Sequence, residues 1–303
     1  MPLPSVLPLV VPFVVPSVVP SVAPRRCPHL ASLLFLLALV LLTGCATQKR
    51  LESVRSFAAG APTLSSYAEL SQRYRDTYQR EQPYLTAVAD QREKQLDAKR
   101  RDAYPDFVAI HHAVVTYMRA LGALAGDGQY DMGGQIKEVA TNIKTWPDAG
   151  ITDSHVNAYA GLARLLARYA GAARQDEAVL AMLREGYQPM QASLDAMSTV
   201  LRHYDKTHDN ERAIVLGMLD VEIPFTNEGK DRLLGVLARA HRQDKATEYR
   251  LLGLRHSLAA RHVNTVREQY QALTRELGVV PDSIHVAAPA GPAVPSNSQG
   301  ATP

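Results

Sequence analysis

The stretch YRLLGLRHSLAARHVNTVREQYQALTREL, from Tyr249 to Leu277, decides the fold. Tyr249, Leu252, His256, Ala259, Val263, Val266, Tyr270, Leu273 and Leu277 alternate three and four residues apart, so at 3.6 residues per turn they share one stripe. The stripe holds for about four heptads, which predicts one continuous helix with its seam packed on other helices.

Upstream the same spacing recurs. Tyr187, Met190, Leu194, Met197, Leu201 and Tyr204 form a second stripe, with Gly186 expected to break the helix before it and Pro189 in its first turn. The run Lys206, Asp209 and Asn210 reads as a charged bend between two helices. Tyr159, Leu162, Leu166 and Tyr169 follow candidate caps at Thr152 or Ser154. Ile136, Val139, Ile143 and Trp146 predict a helix reaching Pro147. Phe107, Ile110, Val114, Tyr117, Leu121 and Leu124 predict another, with Pro105 at its start and Gly126-Asp127-Gly128 at its end. From Leu64 to about Asp102 a further helical stretch is broken at Pro83, and Asp90 to Asp102 is polar enough to project into solvent or against a partner. No alternating β-branched run with hairpin turns is present, and no helical repeat recurs. The expectation for 64–280 is therefore all-α: an elongated antiparallel helical bundle with coiled-coil-like 3-4 packing at about +20°.

The ends differ in kind. Residues 281–303, rich in Pro, Ala and Ser, have little to bury and are expected to be a disordered tail. At the other end Arg25-Arg26 precedes an apolar run from Leu30 to Leu42, followed by Leu42-Thr43-Gly44-Cys45. That run is short of the roughly 20 residues a bilayer span needs. Pro4, Pro8, Pro12, Pro16, Pro20 and Pro24 prevent a helical extension backwards. A basic segment, an apolar segment and small residues before a cut are the parts of an export signal.

The tetrad resembles the lipobox of bacterial lipoproteins. The resemblance implies that the Cys45 thiol is acylated, that the chain is cut before it, and that the new amino terminus is acylated too. Residues 1–44 are then a removable leader, and 45–63 a lipidated N-terminus and short linker, its charged stretch from Ala46 to Pro62 expected to be partly helical. Its Pro-Val preface is unusual for a signal, so translation is expected to start downstream, at Val18, Val19 or Val22. Ala46, where an aspartate favours the inner membrane in enterobacterial lipoproteins, implies the outer membrane. The only cysteines are Cys27 and Cys45, so the mature domain has no thiol for a disulfide or a thiolate metal site.

Chemistry is sparse. Ten histidines are present, yet no His-Glu-x-x-His and no Glu-x-x-His of the di-iron type. The nearest thing to a metal set is His203, Asp205, His208 and Glu211, and the expectation is that no metal binds. His111-His112 flank the Phe107 stripe and read as polar surface; His256 lies on a seam and reads as a half-buried, hydrogen-bonded histidine. No Gly-x-Ser-x-Gly elbow and no phosphate-cradling glycine loop occurs, the one glycine pair being Gly133-Gly134. No cofactor and no catalysis are expected. Arg239, Arg242, Lys245, Arg250, Arg255, Arg261 and Arg267 offer a basic face for anionic headgroups. The 33 basic and 30 acidic residues lose only Arg25 and Arg26 with the leader, so the near-neutral domain gives no case for nucleic acid.

The sequence thus predicts a membrane-anchored, periplasm-facing lipoprotein acting as a non-catalytic structural or interaction module for another envelope protein. The alternatives are a bundle that binds anionic lipid or another ligand through the basic face, and an envelope enzyme whose site is assembled in space.

Overall fold

The computed structural model describes residues 47–126, 139, 142–169, 176–226 and 231–279; Cys45, the leader and the tail lie outside the described residues. Helix α1 covers 47–58. It is followed by α2 (Ser65–Arg75), α3 (Thr77–Glu81), α4 (Ala87–Leu124), α5 (Asp153–Tyr169), α6 (Asp176–Glu222) and α7 (Arg232–Glu276). Among the described residues there is no strand, only a single bridge between Trp146 and Ile151. The fold is all-α, as the 3-4 spacing predicts.

The decisive seam packs as expected. Tyr249, Leu252, His256, Ala259, Val263, Val266, Tyr270 and Leu273 are all buried, and Leu277 rests half-buried on the core. Helix α7 is longer than the seam, starting at Arg232. It runs antiparallel to α6: Arg267 meets Ser198, His256 meets His208 and Arg242 meets Asp220, one number falling as the other rises. Helix α5 also lies antiparallel to α6, through Arg168 with Glu185 and His155 with Asp195.

Two expected breaks are absent. Helix α6 continues through Gly186 and Pro189, and also through Lys206, Asp209 and Asn210, where the sequence predicts a bend. At Gly186 the reason is close approach. A Cβ there would lie 2.2 Å from the Tyr117 hydroxyl, so the glycine makes room for a buried tyrosine rather than ending a helix. Helix α4 runs through Pro105, which the pattern places at its start. A proline inside a helix costs about 3 kcal/mol. Ala103 and Phe107 are buried on either side of it, and that packing offsets the loss. Gly126, at φ 91° in the left-handed region, does end α4 as predicted. The apolar half of α4 is long enough to cross a membrane, but two thirds of it is buried against neighbouring helices.

Two more segments refine the sequence reading. The helix expected from Ile136 to Trp146 falls largely outside the described residues. Its end, 142–146, is not helical. A proline disfavours helical backbone in the preceding residue, and Trp146 instead exchanges two 2.9 Å backbone hydrogen bonds with Ile151 around the Pro147–Ala149 turn. The presumed linker 45–63 contains α1, and Val54, Phe57, Ala58 and Ala61 are buried. Leu51, Val54, Ala58 and Ala61 follow the same 3-4 spacing as the other stripes, a signal legible in the sequence.

The core is rich in tyrosine. Tyr117 and Tyr270 share a 2.8 Å hydroxyl contact, Tyr117 also donates to the Met182 carbonyl at 3.1 Å, and Tyr204 donates to Ser71 at 2.9 Å. Burial pushes all three phenols up, so they remain neutral donors.

Candidate functional site

Glu211, one of the expected metal candidates, is the centre of a buried ion cluster on α6. It is 2% exposed and accepts hydrogen bonds from Arg73 at 3.1 Å, from Arg80 at 2.9 and 2.7 Å, and from Tyr249 at 3.2 Å. Arg73 also reaches Glu248 at 3.0 Å. Two guanidiniums on α2 and α3 thus clamp one carboxylate, the geometry in which Arg–carboxylate pairs are strongest. Removing one partner of such a cluster leaves a buried charge uncompensated.

The two histidines of that set do not join Glu211 around a common point. His203 turns away to Tyr74, at 3.0 Å from its hydroxyl. His208 stacks toward Tyr249 and His256, with ring centroids at 5.6 and 5.1 Å. Among the described residues no group of three or more His, Cys, Asp or Glu is placed to hold a metal ion.

Burial, then the neighbouring His208, push His256 down to about 4, and burial lowers His208 and His203 as well. His256 has no hydrogen bond at Nδ1, and its nearest carboxylate, Asp205, is 3.8 Å away; the seam histidine is buried but not anchored as expected. His111 is not the polar surface residue that its position beside the stripe predicts. It stacks on Tyr67 at 5.3 Å, and burial pushes it down to about 4.

The seven basic residues of α7 do not form one face. Arg242 makes a two-pronged ion pair with Asp220 on α6, and Lys245 pairs with Glu248 at 2.9 Å. Arg267 donates to the Leu194 carbonyl at 3.1 Å and to Ser198 at 2.9 Å, which fastens α7 to α6. Arg255 lines a groove shared with α2. Arg239, Arg250 and Arg261, eleven residues apart, are exposed. At 100° per residue the set wraps around the helix. The sequence pattern missed this because pairing depends on which helix lies alongside.

What stands out on the surface is apolar. Where α6 meets α7, Val221, Phe225, Leu233, Leu234 and Leu237 are between 56 and 77% exposed. In this part of the hairpin few side chains are buried: Val215 and Leu219 on α6, and Gly235 near the start of α7. Gly235 lies against Thr226, close enough that a Cβ would stand 2.6 Å from the threonine hydroxyl. The large apolar residues of this end stay outside.

This surface lies at the far end from α1. Arg50 of α1 pairs with Asp176 at the start of α6, and Ser53 bonds Glu276 at the end of α7 at 3.1 Å. Helix α7 has 45 residues, which at 1.5 Å rise is about 65 Å. The exposed apolar residues and the N-terminal helix are thus separated by nearly the full length of α7. No protein-family model, curated protein or solved structure matches this chain.

Proposed function

We propose that the chain is a lipid-anchored protein of the bacterial cell envelope, acylated at Cys45, whose bundle is a non-catalytic interaction module. In this reading the anchor sits in the outer membrane and the domain faces the periplasm. One observation carries the interaction module: exposed apolar residues gather at the end of the α6–α7 hairpin, about 65 Å along α7 from α1. Contiguous apolar surface on a water-soluble domain marks an interaction site. In this reading the hairpin end is the surface offered to a second envelope protein.

The test has two arms. Cys45→Ser is expected to remain uncleaved or to leave the detergent-extracted membrane fraction, because two or three acyl chains are what hold such a protein stably. A photocrosslinking residue at Leu234 is expected to give one discrete adduct in cells. The same residue at exposed Arg202, midway along α6, is expected to give none. Membrane retention and normal processing of Cys45→Ser would remove the anchor; equal labelling at the two positions would remove the docking surface.

A further inference from the structure

A cavity of about 810 Å³ opens between α4 and α6, and it is separate from the hairpin end. Its volume is in the range of small-molecule sites, roughly 300–1,000 Å³. The apolar wall consists of Tyr74, Leu96, Phe107, Trp146 and Ile214. Trp146 is fixed there: its indole N–H donates to Asp106 at 2.8 Å, and its ring meets Phe107 edge-on at 6.3 Å between centroids. The turn around Pro147 brings Trp146 and Asp148 to the rim.

The polar part of the lining is predominantly cationic. Arg92, Lys99, Arg100 and Lys206 face Glu93 and Asp148. Lys99 pairs with Asp148 at 3.3 Å, and Arg100 with Glu93 at 3.2 Å. Among the described residues Arg92 and Lys206 have no ion-pair partner, which leaves two cations in excess. Arg100 is only 6% exposed, and its Nε has no hydrogen-bond partner. A buried guanidinium with an unused donor is costly unless something accepts from it. Behind Glu93 lies Glu81, fully buried with neither carboxylate oxygen hydrogen-bonded. Burial, and then the charge of Glu93, raise Glu81, so it retains its proton more readily and opposes an entering anion less.

We infer that this cavity binds an amphiphilic anion, a carboxylate or phosphate group held by Arg92 and Lys206 beside the Arg100 guanidinium, and an apolar body laid along Phe107 and Trp146. Arginine presents paired N–H donors matched to carboxylate and phosphate oxygens, which an alcohol or an ammonium group cannot use in the same way. The inference stands apart from the docking surface, whose residues it does not share.

Trp146 is the only tryptophan of the chain and lines the cavity, so its emission reads binding directly. The purified full-length chain, free of added lipid, is titrated with octanoate, octyl phosphate, octanol and octylammonium. Octanoate or octyl phosphate is expected to shift the emission saturably, with octanol and octylammonium at least about tenfold weaker, a difference of 1.4 kcal/mol. A response to only one of the two anions identifies the headgroup, carboxylate or phosphate. Arg92→Glu with Lys206→Glu, both at exposed positions, is expected to weaken the anions about tenfold and leave octanol unchanged. A saturable change with neither anion, an equal response to octylammonium, or anion binding unaffected by the double substitution overturns the assignment.

Discussion

Gly186→Ala is the sharpest test of the packing between α4, α6 and α7. In an exposed helix this change is favourable by about 1 kcal/mol, because glycine is a poor helix former. Here the added Cβ would stand 2.2 Å from the Tyr117 hydroxyl and 2.7 and 2.8 Å from two of its ring carbons, all well inside contact distance. Tyr117 is fully buried and has nowhere to retreat, since its hydroxyl is held by the Met182 carbonyl and by Tyr270. Overpacking costs about 1–3 kcal/mol, and a displaced phenol leaves buried hydrogen-bonding groups unsatisfied at about 1–3 kcal/mol more. After subtracting the helix gain the net loss is about 1–5 kcal/mol, near 3 at the centre of the range. For a unit of this size each kcal/mol lowers the midpoint by roughly 2–4 °C, so a drop on the order of 10 °C is expected by circular dichroism. Gly217 and Gly253, also inside helices, have nothing within 4 Å of where a Cβ would stand, and alanine at either is expected to add about 0.5–1 kcal/mol. If Gly186→Ala melts at or above the parent while those two behave as stated, the close approach of Tyr117 to α6 is wrong.

Burial and charge set the remaining outcomes. Val263→Asp or Leu273→Asp places a carboxylate on the buried seam of α7 and is expected to cost several kcal/mol, whereas exposed Arg261→Ala stays within about 0.5 kcal/mol in the same thermal melts. Arg267→Ala falls between them, because it loses the bonds to Leu194 and Ser198. His111 and His256, both pushed down to about 4, bind protons more readily unfolded than folded, so stability is lost as pH falls from about 6.5 toward 4 in acid titrations of the denaturant midpoint. Glu81 has the opposite sign: its raised folded value means its contribution is lost as pH rises above the ordinary carboxylate range. Glu81→Gln is therefore expected to be more stable than the parent at neutral pH, with the gap closing on acidification; a gap that widens in acid refutes the assignment.

The seams were legible because burial on a helix is written as 3-4 spacing, and every position from Tyr249 to Leu273 on that stripe is buried. The breaks were not, because Gly186, Pro189 and Pro105 carry strong local preferences that tertiary contacts override. Gly186 receives Tyr117, and Pro189 packs on α5 close enough that a Cβ on Gly161 would lie 3.1 Å from its ring. The ion cluster was half legible. Spacing along α6 singles out His208 and Glu211, but the groups that determine Glu211's role, Arg73 and Arg80, come from α2 and α3. No spacing within one helix encodes a pairing between three.

The hairpin end shows where hydropathy stops being informative. Leu233, Leu237, Ala240, Asp244, Thr247, Leu251, Leu254 and Leu258 form a second 3-4 stripe on α7, turned about a third of the way around the helix from the buried seam. Read as a pattern, its leucines are as apolar as the seam itself. Yet Leu233, Leu237, Leu251, Leu254 and Leu258 are 43 to 70% exposed, and among the described residues no helix covers them. One stripe is core because α6 and the tyrosines of α4 lie against it; the other has the same spacing and no such neighbour. Burying a leucine contributes roughly 1.5–3 kcal/mol, so an uncovered row of five represents binding energy still available to a partner. Asp244 and Thr247 interrupt the row at its middle, which weakens continuous coiled-coil pairing and separates an outer pair of leucines from an inner trio. The outer pair lies at the proposed docking end, and Leu258 of the inner trio borders the Arg255 groove. Serine at Leu233 and Leu237 should therefore abolish the Leu234 adduct, while serine at Leu251 and Leu254 should leave it intact.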